Sequence, residues 1–230
     1  KTYFITNAYP TRTGIVVYSQ DITEIKKTEL ELIKAKEKAE ENGAKLKLLN
    51  RLTSEMILIQ DLESSYKFIA ESLQKYYSDT IVLYVSINES TKKTKLEVIS
   101  GLNNRLLKNV IKISGFNPVG KTYELKELHN DYFRSGNLVE FKGGLAEFSD
   151  SEFPALAANA IEKLIGLHKI YTIGVNKDDE LLAGIHFFTF NKQTITDGSF
   201  IEVFVKQAGL VLQKKLNTEA LVLAKGKAEQ

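Results

Sequence analysis

Two apolar segments joined by a short polar turn constrain the fold of this 230-residue chain most strongly. The segments, Ile170–Val175 and Leu182–Phe190, are rich in β-branched and aromatic residues, as strands are. The run NKDDE between them has the composition of a turn. Strands joined by so short a turn must pair antiparallel, because a parallel pair needs a crossover of about a dozen residues or more. The sequence therefore predicts an antiparallel sheet.

Helices are predicted around this sheet. Residues 21–58 contain no proline and are rich in Glu, Lys, Ala and Leu, which predicts one long helix. The other predicted elements are a hairpin (3–8 and 15–18), a helix (61–77), two strands (80–87 and 95–100), a helix (103–110), a short strand (110–113), a helix-like run (124–134), a helix (151–167) and a final helix from Asp197 onwards. The predicted fold class is α+β, an antiparallel sheet with flanking helices and a long helix at each end.

The first long helix has a heptad pattern. Its narrow apolar stripe suits a parallel two-helix seam, which predicts a homodimer. The predicted interface residues are Ile25, Leu32, Ala39, Leu46, Leu49 and Met56. A single solvated amphipathic helix is the alternative. The string AKEKAE at 35–40 recurs as AKGKAE at 224–229, so a similar charged helix enters and leaves the middle of the chain.

Composition excludes several classes of function. The chain has no cysteine, which excludes disulfides, thiolate metal sites and thiol catalysis within it. Its formal net charge of +2 gives no electrostatic argument for nucleic acid. No apolar run approaches the roughly 18 residues that span a bilayer, so no membrane insertion is expected within this stretch. We identify no catalytic residue, no metal ligand set and no cofactor.

The run GFNPVGKT, residues 115–122, matches the nucleotide-binding P-loop pattern. Its context argues against that function. Glu124 would lie near the phosphates and oppose their binding, and Phe116 and Pro118 crowd a loop that must wrap an anion. The antiparallel hairpin also conflicts with the parallel sheet of P-loop proteins. A nucleotide hydrolase acting through Lys121 and Thr122 is kept as the least favoured alternative.

Two families resemble parts of the chain. The passage GIVVYSQDITEIKK, with Asp21, Ile22 and Thr23 directly after a strand, is similar to the exit of a PAS domain, where this motif couples a sheet to a signalling helix. The segments IYTIGVNKDDELLAGIHFFTF and FIEVFVKQAGLVLQKK resemble the strand, turn, strand and final helix of a GAF domain. The expected organisation is PAS strands at 1–20, a signalling helix at 21–58, a GAF-like domain at 59–215 and a linker helix from 216 to 230.

The resemblance implies a cytoplasmic input module of a sensor histidine kinase, simple or hybrid, whose kinase module lies in the same longer chain. None of His129, His168 and His186 lies in a phosphoacceptor motif, so this stretch is not expected to phosphorylate itself. The alternative is a spacer that dimerises and relays a signal without binding a ligand. Bilin attachment needs a thiol, and the cyclic-nucleotide pattern is broken because Ile195 stands where phenylalanine is expected.

A ligand pocket of this family would lie between one sheet face and the variable segment at about 103–169. An unknown small organic molecule would suit such a pocket if it is mostly apolar. The residues predicted to line it are Phe116, Tyr123, Phe141, Phe148, Tyr171 and His186. Two interpretations of this set stay open: ligand contacts, or plain core under a long crossover. For His186 the sequence favours a packed, hydrogen-bonded core histidine.

Overall fold

The computed structural model describes residues 1–125, 132–149, 153–177 and 180–228. The chain divides into two compact units, Lys1–Leu48 and Leu49–Gln230. Parts of several predicted elements lie outside the described residues, namely 126–131 of the run 124–134, residues 151–152, the turn residues Asp178 and Asp179, and the last two residues of the chain.

The first unit contains an antiparallel hairpin, which confirms the predicted pair of strands. Its strands are β1 (Phe4–Thr11) and β2 (Gly14–Asp21), and every residue of both is exposed. A two-stranded sheet with neither face covered is marginally stable in water. The exposed side chains include Phe4, Ile15 and Tyr18, which are 59%, 71% and 55% exposed.

The first long helix, α1, spans Thr23–Leu58 without a break at Gly43. Its start is held to the chain before β1 by two residues of the Asp-Ile-Thr motif. Thr23 Oγ1 accepts a hydrogen bond from the backbone N–H of Tyr3 at 2.9 Å, and Ile22 donates its N–H to the Tyr3 carbonyl. Asp21 Oδ1 accepts the N–H of Thr23 at 2.8 Å. Hydrogen bonding by the Thr23 side chain and then by its backbone lowers the pKa of the Asp21 carboxyl.

The second unit is organised by a six-stranded antiparallel sheet, as predicted. Its strands are β3 (Thr80–Asn88), β4 (Lys93–Ser100), β5 (Thr122–Glu124), β6 (Val139–Phe141), β7 (Leu167–Lys177) and β8 (Glu180–Phe190). They lie in the order β5-β4-β3-β8-β7-β6. The long pair β7–β8 that the sequence identified lies near one end of this order, and β8 pairs with β3 to join it to the other hairpin.

Within the part of the chain that the structure describes, five helices follow α1. They are α2 (Leu62–Tyr76), α3 (Asn104–Ser114), α4 (Leu145–Phe148), α5 (Ala155–Ile165) and α6 (Ser199–Ala228). Asp61 caps the N-terminus of α2 by accepting the N–H of Ser64 at 2.7 Å. The predicted strand at 110–113 is wrong, because α3 continues to Ser114, and Glu124, the first residue of the predicted helix-like run, ends β5.

One face of the sheet is covered by α2 and α6. Strand alternation places Tyr84 and Phe187 on this face, where both are completely or almost completely buried. The Tyr66 ring of α2 stacks on Tyr84 with 4.7 Å between centroids, and Phe204 of α6 is fully buried. Burial raises the pKa of Tyr66 to about 12 and that of Tyr84 well above its usual value. This face is a conventional packed core.

Candidate ligand-binding cavity

The opposite face of the sheet is covered by α3, α4 and α5. Leu83 of β3 lies opposite His186 of β8 and Ile99 of β4, and His186 lies opposite Thr172 of β7. These side chains therefore share one face. The helices bury Val110, Leu145, Ala158 and Ile161 against Ile81, Phe141, Ile170 and Phe188 of that face.

A cavity of about 170 Å³ lies between this sheet face and the helical layer. The described residues that line it are Ile81, Leu83, Val85, Thr94, Leu96, Ile99, Leu102, Val110, Pro118, Tyr123, Glu124, Phe133, Leu145, Phe148, Ser149, Phe153, Ile161, Ile165, His186 and Phe188. Most of them are apolar. Phe188 and His186 are only 5% and 4% exposed, whereas Glu124 is exposed. The cavity wall is thus deeply buried at His186, which we call the closed end, and exposed at Glu124 of β5, which we call the open end.

Phe133 closes one wall of the cavity against a pair of glycines. Gly174 and Gly184 lie directly opposite each other on β7 and β8. A Cβ at Gly174 would stand 2.0 Å from the Phe133 carbonyl oxygen, and a Cβ at Gly184 would stand 2.8 Å from its ring. Asn176 Nδ2 donates a hydrogen bond to the same carbonyl at 2.7 Å. The two glycines are therefore needed so that Phe133 can approach the sheet.

His186 is the buried polar side chain of the cavity wall. Its Nδ1 lies 3.0 Å from Thr172 Oγ1, a hydrogen bond between the two adjacent strands. The imidazole also packs against Phe148 at 4.6 Å and Phe133 at 5.5 Å between ring centroids. His186 is therefore a hydrogen-bonded core histidine, as the sequence favoured, and at the same time it borders the cavity.

The open end of the cavity is bordered by aromatic rings and a lysine. Phe116 stacks on Phe153 with 5.3 Å between centroids. The Lys121 ammonium lies 3.9 Å from the centroid of the Phe116 ring and 5.1 Å from that of Tyr123. Both are cation–π distances. Lys121 therefore covers aromatic side chains beside the cavity.

The same region contradicts the P-loop interpretation of residues 115–122. Gly115 is the left-handed C-cap of α3, with φ of 81°, and the run leads into β5. A P-loop has the opposite arrangement, a strand followed by a helix N-terminus. Here the loop meets the C-terminal end of a helix, whose partial charge is negative and repels phosphate. The glycine and lysine spacing is a coincidence.

The structure brings together part of the predicted ligand set. Tyr123, Phe148 and His186 line the cavity. Phe141 is buried behind Phe148, with 5.6 Å between the ring centroids, and Phe116 contributes through its stack on Phe153. Tyr171 is wrong as a lining residue: it lies opposite Phe187 on the other face of the sheet, and its hydroxyl accepts the N–H of Ile195. Strand alternation separates Tyr171 from the cavity.

Sequence reasoning missed the aliphatic half of the wall. Leu83, Val85, Leu96 and Ile99 come from β3 and β4. Their alternation was visible in the strands at 80–87 and 95–100, but the face they share with His186 depends on how β3 pairs with β8. The glycine pair was also missed, although two glycines in the centres of adjacent strands are an available signal for a close approach of backbone.

The predicted dimer residues fall into two groups. Ile25, Leu32 and Leu46 are 61%, 70% and 57% exposed, and Ala39 is exposed as well. Leu49 and Met56 are only 6% and 1% exposed within the second unit. The last turns of α1 therefore belong to the core of that unit, and these two residues are not available for a helix seam.

Lys215 of α6 holds the end of α1. Its Nζ donates hydrogen bonds to the carbonyl oxygens of Met56 and Ile59 at 3.1 and 2.6 Å, and to Ser65 Oγ of α2 at 2.7 Å. Burial lowers the pKa of the Lys215 ammonium, and the carboxylate of Asp61 partly offsets this. One side chain of α6 thus ties the end of α1 to the start of α2.

Among the described residues, no cluster of three or more His, Cys, Asp or Glu side chains is placed to hold a metal ion. Within the same part of the chain, no helix is both long and apolar enough to cross a membrane.

Comparison with known proteins identifies the fold. No protein-family model matches the sequence, and no curated protein is significantly similar to it. Among solved structures, the phycoerythrobilin-bound GAF domain of a cyanobacterial phytochrome is similar over 76% of this chain and 97% of its own, with a TM-score of 0.55 and 11% identity. The GAF domain of a phosphoenolpyruvate-protein phosphotransferase from Coxiella burnetii is similar over 76% and 96%, with a TM-score of 0.53 and 14% identity.

A GAF domain from a predicted sensor histidine kinase of Pseudomonas syringae pv. tomato is similar over 83% of this chain and 99% of its own, with a TM-score of 0.52 and 12% identity. Such low identities establish the architecture alone, since unrelated functions share folds. The chain therefore has a GAF-like α+β fold, of the kind found in sensory and signalling proteins.

Proposed function

We propose that this chain is a sensory and relay module of a multi-domain signal-transduction histidine kinase. A small molecule bound in the cavity regulates a kinase module of the same chain through a dimeric helix, in the cytoplasm. The observation that carries this proposal is the half-enclosed apolar cavity beside His186, in a fold that the described residues share with GAF domains of sensory proteins. Catalysis is not part of the proposal for this stretch.

An apolar cavity favours an occupant. Side chains that line a void lack contact partners on one side and lose dispersion energy. A ligand that fills the space restores those contacts and stabilises the folded state by mass action. The closed end is lined by Phe148, Phe188 and Leu145, which supply apolar contact, while His186 supplies a polar group. This combination is typical of small-molecule sites.

Contacts through β7 connect the cavity wall to α6. Phe133 packs on β7 and β8. Gly209 of α6 packs on β7, where an added Cβ would stand 3.0 Å from the Asn176 carbonyl oxygen. Asn176 also binds the Phe133 carbonyl. A ligand that moves Phe133 therefore acts on the strand that supports α6. A ligand shifts the equilibrium between helix arrangements only if it binds one arrangement more tightly than another.

The homodimer is proposed to form through the exposed stripe of α1, Ile25, Leu32, Ala39 and Leu46. Leu32→Glu would place a charge in the seam, and we expect it to weaken dimerisation at least about tenfold. Leu30→Glu is the matched control, because Leu30 is 53% exposed on the same helix but lies outside the stripe. Sedimentation velocity of both variants tests this. Equal behaviour of the two variants would reject the proposed seam.

The hairpin β1–β2 is proposed to be the C-terminal part of a PAS domain at residues 1–20. Both of its faces are exposed and carry apolar side chains, so it needs further strands or a covering layer to be stable. The hydrogen bonds between Tyr3 and the Ile22–Thr23 backbone and side chain support the role of this motif in joining the sheet to α1.

A relay spacer without a ligand is the second candidate. One observation favours it: about 170 Å³ is smaller than the roughly 300–1,000 Å³ of usual ligand pockets. Native mass spectrometry of the purified chain separates the two functions. An extra mass of one small molecule per subunit supports the sensor, whereas a bare dimer that no small molecule stabilises against heat supports the spacer.

A further inference from the structure

We propose that the cavity takes a small hydrophobic molecule, about one aromatic ring in size, whose end at the closed end carries neither a charge nor a hydrogen-bonding group. This inference rests on the proposed sensory function and specifies the ligand class. Three observations carry it: the volume of the cavity, the position of the polar side chains in its lining, and the hydrogen bonds that the lining makes within the protein.

The volume sets the size of the ligand. An engineered cavity of about 150 Å³ in another protein is large enough for benzene. The cavity here, about 170 Å³, therefore accommodates one ring with small substituents. A tetrapyrrole or a nucleotide is several times larger and does not fit unless the helical layer separates from the sheet.

Most of the polar side chains of the lining lie on two adjacent strands. Among the described lining residues, those with a polar side chain are Thr94, Tyr123, Glu124, Ser149 and His186. The first three belong to β4 and β5, where Thr94 lies opposite Tyr123, and Glu124 is exposed at the open end. A polar group of the ligand is therefore tolerated at the open end, where it meets these side chains and water.

The other two polar side chains are hydrogen-bonded within the protein. Ser149 Oγ donates to the carbonyl oxygen of Ala146 at 3.2 Å. His186 is 4% exposed, its Nδ1 lies 3.0 Å from Thr172 Oγ1, and its ring packs against Phe148. A polar ligand group at the closed end would have to compete with these contacts, and the inference assigns it no hydrogen bond from the imidazole.

A charge at the closed end is excluded for a related reason. The described lining residues include no lysine or arginine, and their only carboxylate belongs to Glu124 at the open end. Burying a polar group without a hydrogen bond, or a charge without a partner, is unfavourable. Hence the ligand end beside His186 is neutral and apolar.

Apolar contact is what the closed end offers instead. Leu145, Phe148 and Phe188 line it, and each contributes dispersion contacts to a hydrocarbon group. Water is a poor competitor in such a place, because a buried water needs about two to four polar partners. A hydrophobic ring therefore has an advantage over solvent in this cavity.

The test compares three probes of nearly equal shape, p-xylene, p-cresol and hydroquinone, with the purified chain by calorimetry and ligand-observed NMR under nitrogen, so that hydroquinone stays reduced. The first hydroxyl can face the open end, so we expect p-cresol to bind at most about fivefold more weakly than p-xylene. Hydroquinone must place its second hydroxyl at the closed end. We therefore expect it to bind at least about tenfold more weakly than p-cresol, a larger loss than the first hydroxyl causes.

Two substitutions of Leu83 place the probe in the cavity. Leu83→Trp fills part of the space, and we expect it to weaken p-xylene binding at least about tenfold. Leu156→Trp is the matched control, since Leu156 is 86% exposed and does not line the cavity. Leu83→Ala enlarges the space and should admit 2-methylnaphthalene, which the unmodified protein excludes. This second variant gives a gain of binding, which a destabilised fold would not produce.

The outcomes separate this inference from the proposed function. Hydroquinone binding as tight as that of p-cresol, or equal losses for the first and the second hydroxyl, overturns the ligand class and leaves sensing of another ligand in place. Binding of p-xylene that is unchanged by Leu83→Trp overturns it as well, and so does failure of every probe to bind both the unmodified protein and Leu83→Ala. If native mass spectrometry then also shows a bare dimer, the sensory function itself fails in favour of the spacer.

Discussion

Phe187 and Phe188 are neighbours on β8 and face opposite sides of the same sheet. Phe187 is fully buried under α2 and α6, where Tyr77 meets its ring edge-on and Phe204 is fully buried. Phe188 is 5% exposed under α4 and α5 and borders the cavity. The face under α2 and α6 is therefore a packed core, whereas the face under α4 and α5 borders the cavity. If both faces were packed equally closely, Phe187 and Phe188 would not differ in this way.

The largest expected effect comes from truncating these two rings. Phe187→Ala should lower the free energy of unfolding by about 4 kcal/mol, because a new cavity opens in a packed layer. Phe188→Ala should cost about 2 to 3 kcal/mol, since the ring borders the cavity on one side and packs against other side chains only on the rest of its surface. Urea unfolding of both variants measures the difference. A larger cost for Phe188→Ala would mean that the cavity is filled in the folded protein.

The glycine pair under Phe133 sharpens the comparison on the cavity face. Gly174→Ala and Gly184→Ala should each lower the free energy of unfolding by about 2 kcal/mol, because the added Cβ collides with Phe133. At Gly184 the obstacle is the Phe133 ring, whereas at Gly174 it is the Phe133 backbone. Phe133→Ala should therefore rescue Gly184→Ala and leave Gly174→Ala unrescued. Equal rescue of both in a double-mutant cycle would contradict the placement of Phe133.

A substitution of Lys215 tests the side of the sheet covered by α2 and α6, where the end of α1 meets the start of α2. Lys215→Met keeps the length of the side chain but removes three hydrogen bonds, and we expect a loss of about 1 kcal/mol, reduced by the partial exposure of the ammonium. Lys214→Met is the matched control, because Lys214 is exposed and adjacent in sequence. Thermal unfolding measures both. An equal effect of the two substitutions would show that Lys215 does not hold the end of α1.

Alkaline pH should lower the free energy of unfolding through the tyrosines that pack between α2 and the sheet. Burial raises the pKa of Tyr66 to about 12 in the folded protein, from 10.0 when exposed. The folded state therefore keeps this proton while the unfolded state releases it, so the stability contributed by Tyr66 is complete below pH 10 and is lost as the pH rises towards 12. Tyr66→Phe should make unfolding less sensitive to pH in this range. Tyr18→Phe, in the exposed hairpin, is the matched control for the loss of a hydroxyl.

The sequence determined the secondary structure where periodicity was strong. The hairpin β7–β8, the helix α1 and the final helix were predicted because each repeats its pattern over many residues. The segment between β4 and α5 was predicted poorly: residues 110–113 continue α3 rather than form a strand, and residues 122–124 form β5. Short apolar runs such as Val110–Ile113 fit a helix turn and a strand equally well, and only their neighbours decide.

Tertiary structure alone decided which residues form the cavity. Alternation along β8 shows that His186 and Phe187 face opposite sides, but it does not say which side is packed. That depends on the pairing of β3 with β8, which places Leu83 beside His186, and on Phe133 reaching across from a distant part of the chain to Gly174 and Gly184. Local patterns fix local geometry, whereas a site assembled from five or more separate segments depends on long-range contacts that no single window of sequence contains.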